Sequence, residues 1–401
     1  MFAFSYKNKL DPNLKHYMSN NCYKNYRVLI KYKNFQSSIE KKVASYKGKL
    51  HHIIKCANLI SATLTSKGIE RIVEYPEIEK IYLDEYLFLC GMSVSTANKV
   101  HFSEKYKLSG AGVGIGVIDS GIFPHPDLTS PSNKISLFVD LINDFNYPYD
   151  DNGHGTSTSG ILCSSGLASN NMYKGIAHKS KLFCYKAFDK LGKGFASDIL
   201  YSIESLVEIS KENNIKVLCL PFELLSHNTF IISCFDLAFK YAVSNNVIPI
   251  VPSGSTLNDS SAIMGISTCD NCITVAGLNS TTSIIKPYTF SSSGPFGKSE
   301  KPNLSASCVN IVSLNSDTNY LSEKNGLKIY PKKLEAPYKT FTGTSLAVSY
   351  VSGLCALLFE NNPEITFYDL TSLLKVACDP IEDVSKNICG DGVINIDRLM
   401  P

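Results

Sequence analysis

The sequence predicts an α/β protein: a doubly wound, mostly parallel sheet preceded by a small α+β, ferredoxin-like domain. Three observations predict it. From Gly112 onward, short and nearly continuous apolar runs recur at 113–118, 181–186, 215–220, 247–251 and 272–276. Strands buried on both faces read this way. Between them lie longer stretches with helical spacing, at 154–163, 198–212 and 230–245. Alternation of the two argues for a parallel sheet covered by helices. Upstream, residues 23–90 carry a different pattern, β-α-β-α-β in a short span, which fits a separate α+β module.

Taken in order, residues 1–22 are polar, contain Asp11-Pro12-Asn13 and read as a loose N-terminus. Residues 26–32 (YRVLIKY) are a β-branched run, 36–46 a short amphipathic helix, and 58–64 an alternating strand. A further strand fits around 51–54. Thr65 caps a helix to Val73, Tyr75-Pro76 ends it, and 78–83 is a last strand. Residues 91–110 carry few signals and are read as a connector. The large domain then runs from 111 to 401. Near its end, residues 338–358 pass from a polar, Gly-punctuated loop into an apolar helix. Residues 364–378 form an amphipathic helix, and 390–396 a closing turn and strand.

Composition narrows the function. The chain has 401 residues, 44% of them hydrophobic, and a net charge of +3. That charge makes no case for nucleic acid or a polybasic membrane surface. No run of about 18 apolar residues is present, and the first residues have no apolar signal-peptide core. The 13 cysteines are odd in number, and many fall in apolar runs. They read as free, reduced thiols in an intracellular, cytoplasmic protein, with a spore compartment or non-classical export as alternatives. The pair Cys269-Asp-Asn-Cys272 has no second pair to complete a zinc site. The glycines of Gly110-Ala-Gly112-Val-Gly114-Ile-Gly116 precede and enter a strand, which is the wrong placement for a dinucleotide-binding turn.

Three motifs are polar where a structural core would be apolar. They are Val117-Ile118-Asp119-Ser120-Gly121, Asp151-Asn152-Gly153-His154-Gly155-Thr156 and Gly343-Thr344-Ser345. Singly, each has a structural explanation: an acid capping a turn, a histidine at a helix start, a hydroxyl capping a helix. Together they supply Asp119, His154 and Ser345. A serine nucleophile needs a base of near-neutral pKa, and the imidazole needs a carboxylate to fix its tautomer. Strand ends of an open α/β sheet are where such groups gather. A serine in a first helical turn also lies beside unpaired backbone N–H groups that favour an oxyanion.

The order V-I-D-S-G, N-G-H-G-T, F-T-G-T-S-L-A resembles the subtilisin-like serine proteases (peptidase S8). Gly175-Ile176-Ala177, residues 186–194 and residues 288–294 resemble further segments of that family. The likeness covers about 95–400 and implies a subtilisin-like fold and a serine endopeptidase with Asp119, His154 and Ser345 as its triad. It also gives residues 23–90 a meaning. They look like the inhibitory propeptide, cut off by the enzyme itself between Tyr86 and Ala97. Polypeptide substrate and the chain's own propeptide are then the expected partners. No cofactor is required. Calcium is common in the family, and Asp127 matches one ligand position, with 167–174 as the matching loop.

The surrounding shell departs from the family pattern. Ser255, in Ser253-Gly254-Ser255, stands where the family's oxyanion asparagine is expected, with Asn258 as another possible donor. Pro221-Phe222-Glu223 replaces the family's substrate-pairing S-L-G. Pro221 lacks a backbone donor, and Glu223 adds bulk and charge where glycine leaves room. Narrow specificity is expected, with Glu223 favouring a basic side chain near it. The alternative reading is a pseudoprotease, a binding or regulatory protein that keeps the fold.

Overall fold

The computed structural model describes residues 9–33, 36–89, 107–258, 262–282, 284–294 and 300–399. The chain divides into two compact units, Met1–Tyr86 with Phe195–Glu204, and Leu87–Gly194 with Ser205–Pro401.

The first unit is built on a four-stranded antiparallel sheet in the order Lys49–Ile54, Leu59–Leu64, Tyr26–Tyr32, Ile78–Leu83. Helices Gln36–Ser45 and Ser66–Ile72 accompany it. Val28, Ile30, Ile39, Val43, Ile60 and Ile69 share its core. Thr65 caps the second helix, accepting from the Gly68 N–H at 3.2 Å. The N-terminus is not loose throughout, as its polarity had suggested. Pro12–Ser19 is a helix, with Asp11 as N-cap and Pro12 in its first turn. Asp-Pro, read as a loop signal, is here a start signal. Leu14 and Met18, four apart on one face, are buried in the core.

Segment Phe195–Glu204 belongs to this unit through polar contacts. Arg27 donates to Asp84 at 3.0 Å and to Ser197 at 2.8 Å, and also pairs with Asp198. His52 meets Asp198 at 2.7 Å and stacks on Tyr201. Glu204 accepts the N–H groups of Lys55 and Cys56. Asp84 is buried, and burial lifts its carboxyl to about 6 against the opposing pull of Arg27.

The second unit is a doubly wound α/β domain. Its main sheet runs Cys378–Asp379, Val393–Ile394, Leu304–Ser307, Ile273–Asn279, Ile248–Pro252, Ile215–Cys219, Gly114–Asp119, Lys181–Lys186, Ile135–Asp140. The interior pairings are parallel. The chain goes from Gly114–Asp119 to the edge strand Ile135–Asp140, returns to Lys181–Lys186 between the two, and resumes on the other side at Ile215–Cys219. These neighbours flank the topological switch, the place at the strands' C-terminal ends where open α/β sheets gather functional groups. Two strands carried no clear sequence signal. Ile135–Asp140 is an edge strand, only partly buried. Leu304–Ser307 is small and polar but buried, its Ser305 hydroxyl donating to the Gly392 carbonyl at 2.9 Å.

The helix Thr344–Asn361 is buried along nearly its whole length. It packs against the sheet and against helix His154–Cys163. The segment entering it is a strand, Tyr338–Phe341, paired with Ile311–Leu314, where a loop was expected. Among the described residues, no helix is long and apolar enough to cross a membrane. Twelve described cysteines are free and ten of them buried; burial raises the thiols of nine of these, Cys219 and Cys378 to about 12.

Candidate active site

Asp119 ends the strand Gly114–Asp119 and has no exposed surface. Its Oδ1 accepts the Ser120 N–H at 2.6 Å and lies 2.8 Å from His154 Nδ1. Its Oδ2 lies 3.0 Å from the same nitrogen and accepts the Thr158 hydroxyl at 3.0 Å. A carboxylate so placed fixes Nδ1 as the protonated nitrogen and leaves Nε2 as the basic one.

His154 opens the helix His154–Cys163. The close approach of this helix to the strand depends on Gly155. A Cβ there would lie 2.0 Å from the Gly121 carbonyl oxygen and 3.1 Å from Asp119 Cβ. The start of the helix is held by Asp150, which is buried. Its carboxylate accepts from Ser120 Oγ and the Gly153 N–H, both at 2.8 Å, and from the Thr156 N–H and hydroxyl. Negative charge at a helix N-terminus is favourable. Lys186, fully buried at the end of the neighbouring strand, donates to the Ser120 carbonyl at 2.5 Å and to Asp151 at 2.6 Å.

Ser345 lies in the first turn of Thr344–Asn361 and is buried. Its carbonyl accepts the Ser349 hydroxyl at 3.0 Å. His154 and Ser345 thus occupy the opening turns of two helices packed on each other. Thr344 ties this turn to the opposite wall, donating to the Gly254 carbonyl at 3.2 Å.

That wall holds the other sequence-predicted residues. Ser253 is buried, its hydroxyl 3.0 Å from that of Ser291. Gly254 has φ +120°, and a Cβ on it would lie 2.5 Å from Ser292 Oγ and 3.0 Å from Glu223 Oε2. Pro221 and Phe222 are buried, and the Phe222 ring lies 5.3 Å from that of Phe188. Glu223 is only 4% exposed. It does not stand free as a charge for a basic substrate group. It accepts the Ser255 N–H at 2.8 Å and also the Ser255 hydroxyl. Burial raises its pKa, and the Ser255 bonds oppose the rise. Ser255 therefore spends its hydroxyl on Glu223. Asn258 is anchored through its N–H to the Thr289 carbonyl at 2.8 Å.

The edge of this wall is paired. Strand Tyr86–Leu89 runs antiparallel to Phe222–Glu223, with Leu89 opposite Phe222 and Phe88 opposite Glu223. Lys193–Phe195 completes a three-stranded sheet on its other side.

Asp127 does not fit a calcium ligand. Its Oδ1 accepts the Ala168 N–H at 2.8 Å, and its Oδ2 accepts the hydroxyls of Ser164 and Tyr338. Donors occupy the positions a cation would need. Among the described residues, no group of three or more His, Cys, Asp or Glu could hold a metal ion.

Sequence reasoning missed Asp150, Thr158 and Lys186. Asp150 had a signal: an Asp three residues before Gly153, in a cap pattern at a helix start. Thr158 sits one turn after His154, on the same face. Lys186 had none, being a cation in an apolar run.

The fold, with a buried acid–imidazole pair beside a helix turn that carries a serine, is that of a serine hydrolase. Residues 110–392 match Peptidase_S8, the subtilase family. Serine protease AprX of Bacillus subtilis is 31% identical over 382 residues, spanning 92% of this chain and 84% of AprX. Subtilisin E of the same organism is 26% identical over 339 residues, 82% of this chain and 78% of subtilisin E. Among solved structures, fervidolysin from Fervidobacterium pennivorans, a keratinolytic enzyme related to subtilisin, aligns with a TM-score of 0.69 at 17% identity. That likeness, a likeness of fold, covers 94% of this chain, which spans 61% of fervidolysin. The chain belongs to the subtilase family and is a subtilisin-like serine endopeptidase.

Proposed function

We propose that the protein cleaves polypeptides through Asp119, His154 and Ser345 and is made as a self-processing zymogen of narrow specificity. The observation that carries this reading is the two-oxygen contact of buried Asp119 with His154 Nδ1, at 2.8 and 3.0 Å. Ser345 Oγ attacks the scissile carbonyl as His154 Nε2 takes its proton. The imidazolium, stabilised by Asp119, returns that proton to the leaving amine. Water then attacks the acyl-enzyme by the same route in reverse. The Ser345 N–H, at the positive end of a long buried helix, is the oxyanion donor.

Zymogen processing is supported by strand Tyr86–Leu89, which pairs with Phe222–Glu223 as an extended substrate would. The expected cleavage span, Tyr86 to Ala97, continues into residues 90–97, outside the described ones. Residues 23–90 act in this reading as an intramolecular inhibitor.

The pseudoprotease reading is favoured by one observation, the engagement of Ser255 by Glu223. Loss of one oxyanion donor costs about 10²- to 10³-fold in kcat, a large share of catalysis but not all of it. Expression of the wild type and Ser345→Ala, with the N-terminus of each product sequenced, separates the readings. Self-cleavage at 86–97 in the wild type alone is expected. An uncut wild type that also ignores a serine-directed phosphonate would leave the pseudoprotease standing.

A further inference from the structure

Two replacements that look independent in the sequence meet in the structure. Glu223, where glycine was expected, and Ser255, where asparagine was expected, are 32 residues apart and hydrogen-bonded through both donors of Ser255. The pair lies next to the nucleophile's turn. Gly254, which precedes Ser255, accepts from Thr344, which precedes Ser345. We propose that Glu223 is a positioning residue for oxyanion stabilisation that acts through Ser255, holding its hydroxyl away from the reacting carbonyl when ionised and releasing it when neutral. This rests on the protease reading above.

The chemistry follows from donor counting. A carboxylate only accepts, so it takes the Ser255 O–H and leaves a negative charge beside the place where an oxyanion must form. A neutral carboxyl can donate its own O–H to Ser255 Oγ. The Ser255 hydroxyl is then free to turn its proton toward the oxyanion, in a chain running from carboxyl to hydroxyl to oxyanion. No covalent step is added.

The surroundings favour the neutral form. Glu223 is buried, and three described segments that line its wall carry no charged residue. Strand Ile248–Pro252 is Ile-Pro-Ile-Val-Pro, the turn Gly265–Thr268 is Gly-Ile-Ser-Thr, and residues 291–294 are Ser-Ser-Ser-Gly. No cation compensates the carboxylate in any of these, and burial raises its pKa. A Cβ on Gly254 would lie 3.0 Å from Glu223 Oε2, so the carboxyl packs directly on the wall.

The test is a mutant cycle on the processed enzyme, reading kcat and KM for a peptide substrate from pH 5 to 8. Glu223→Gln supplies a neutral donor of the same shape. It is expected to raise kcat by about 10- to 100-fold on the high-pH side of the Glu223 titration, with little change in KM, and to remove the fall in kcat as Glu223 ionises. In a Ser255→Ala background the same substitution is expected to bring a markedly smaller gain, that of removing the charge alone. Equal kcat and an unchanged pH profile for Glu223→Gln, or a gain of the same size in the Ser255→Ala background, would overturn the proposal. Should Glu223→Gln fold poorly, Glu223→Ser with the same background comparison decides by the same criterion. If neither wild type nor variants react with a serine-directed phosphonate, the protease reading itself fails; phosphonate labelling with no response to Glu223 overturns only the present proposal.

Discussion

Asp119→Asn removes the charge opposite His154 while nearly keeping the shape. The amide carbonyl can take the place of Oδ1, still accepting from Ser120 N–H and His154 Nδ1, with its NH2 turned to the Thr158 hydroxyl. In the opposite orientation the NH2 meets Nδ1 and forces the proton onto Nε2, which ends its use as a base. In the first orientation the tautomer survives but the imidazolium formed during attack has no counter-charge. A unit charge 2.8 Å from Nδ1, in an effective dielectric of about 20, is worth about 6 kcal/mol, or roughly four decades in rate. Either orientation therefore predicts a fall in kcat of about 10⁴-fold. Losing the carboxylate also disfavours the charged imidazole, so the acid limb of the kcat/KM profile moves to lower pH. The measurement is a pH series of kcat/KM on wild type and Asp119→Asn, with folding checked by thermal melting. A loss below about tenfold with a native melt, or an acid limb moving upward, would refute the assignment of Asp119 and His154 as a working pair.

Two further outcomes are expected. Gly155→Ala places a methyl group 2.0 Å from the Gly121 carbonyl oxygen, so the opening turn that carries His154 must shift; melting should show a loss of about 1–3 kcal/mol together with a drop in kcat, and an unperturbed variant would remove Gly155 from the account. In the first unit, the folded pKa of Asp84, about 6, lies above the usual carboxylate value, so its contribution to stability is present at low pH and is lost as pH rises through about 6. Melting of the uncleaved Ser345→Ala chain between pH 4 and 7 should show this fall, and Asp84→Asn should flatten it; a slope unchanged by that substitution would count against the assignment.

Much of the fold was legible along the chain. Buried parallel strands are continuous apolar runs, and 181–186 and 215–219 were found because burial on both faces leaves no alternation to confuse them. Leu304–Ser307 was not found, because its burial is supported by a serine–carbonyl bond to Gly392, far along the chain. The helix Pro12–Ser19 was missed because Asp-Pro serves loop and helix start alike, and only the core receiving Leu14 and Met18 decides between them. The triad residues were visible as short polar motifs in apolar surroundings. Their supports were not: Lys186 is a cation inside an apolar strand, and only the meeting of a neighbouring strand end with the loop that carries Asp151 gives it partners.

The sequence by itself determined the chemistry on offer: an acid, an imidazole and a hydroxyl in a given order, each beside glycines or at an element's end, where local backbone rules put them. It also showed that the oxyanion asparagine and the substrate-pairing glycine were replaced. Only the tertiary structure decided that the two replacements are one feature. Glu223 and Ser255 hydrogen-bond across the wall because the strand ends that carry them lie side by side in the sheet, a proximity that no local pattern encodes. A buried carboxyl must find donors, and here it finds them in Ser255.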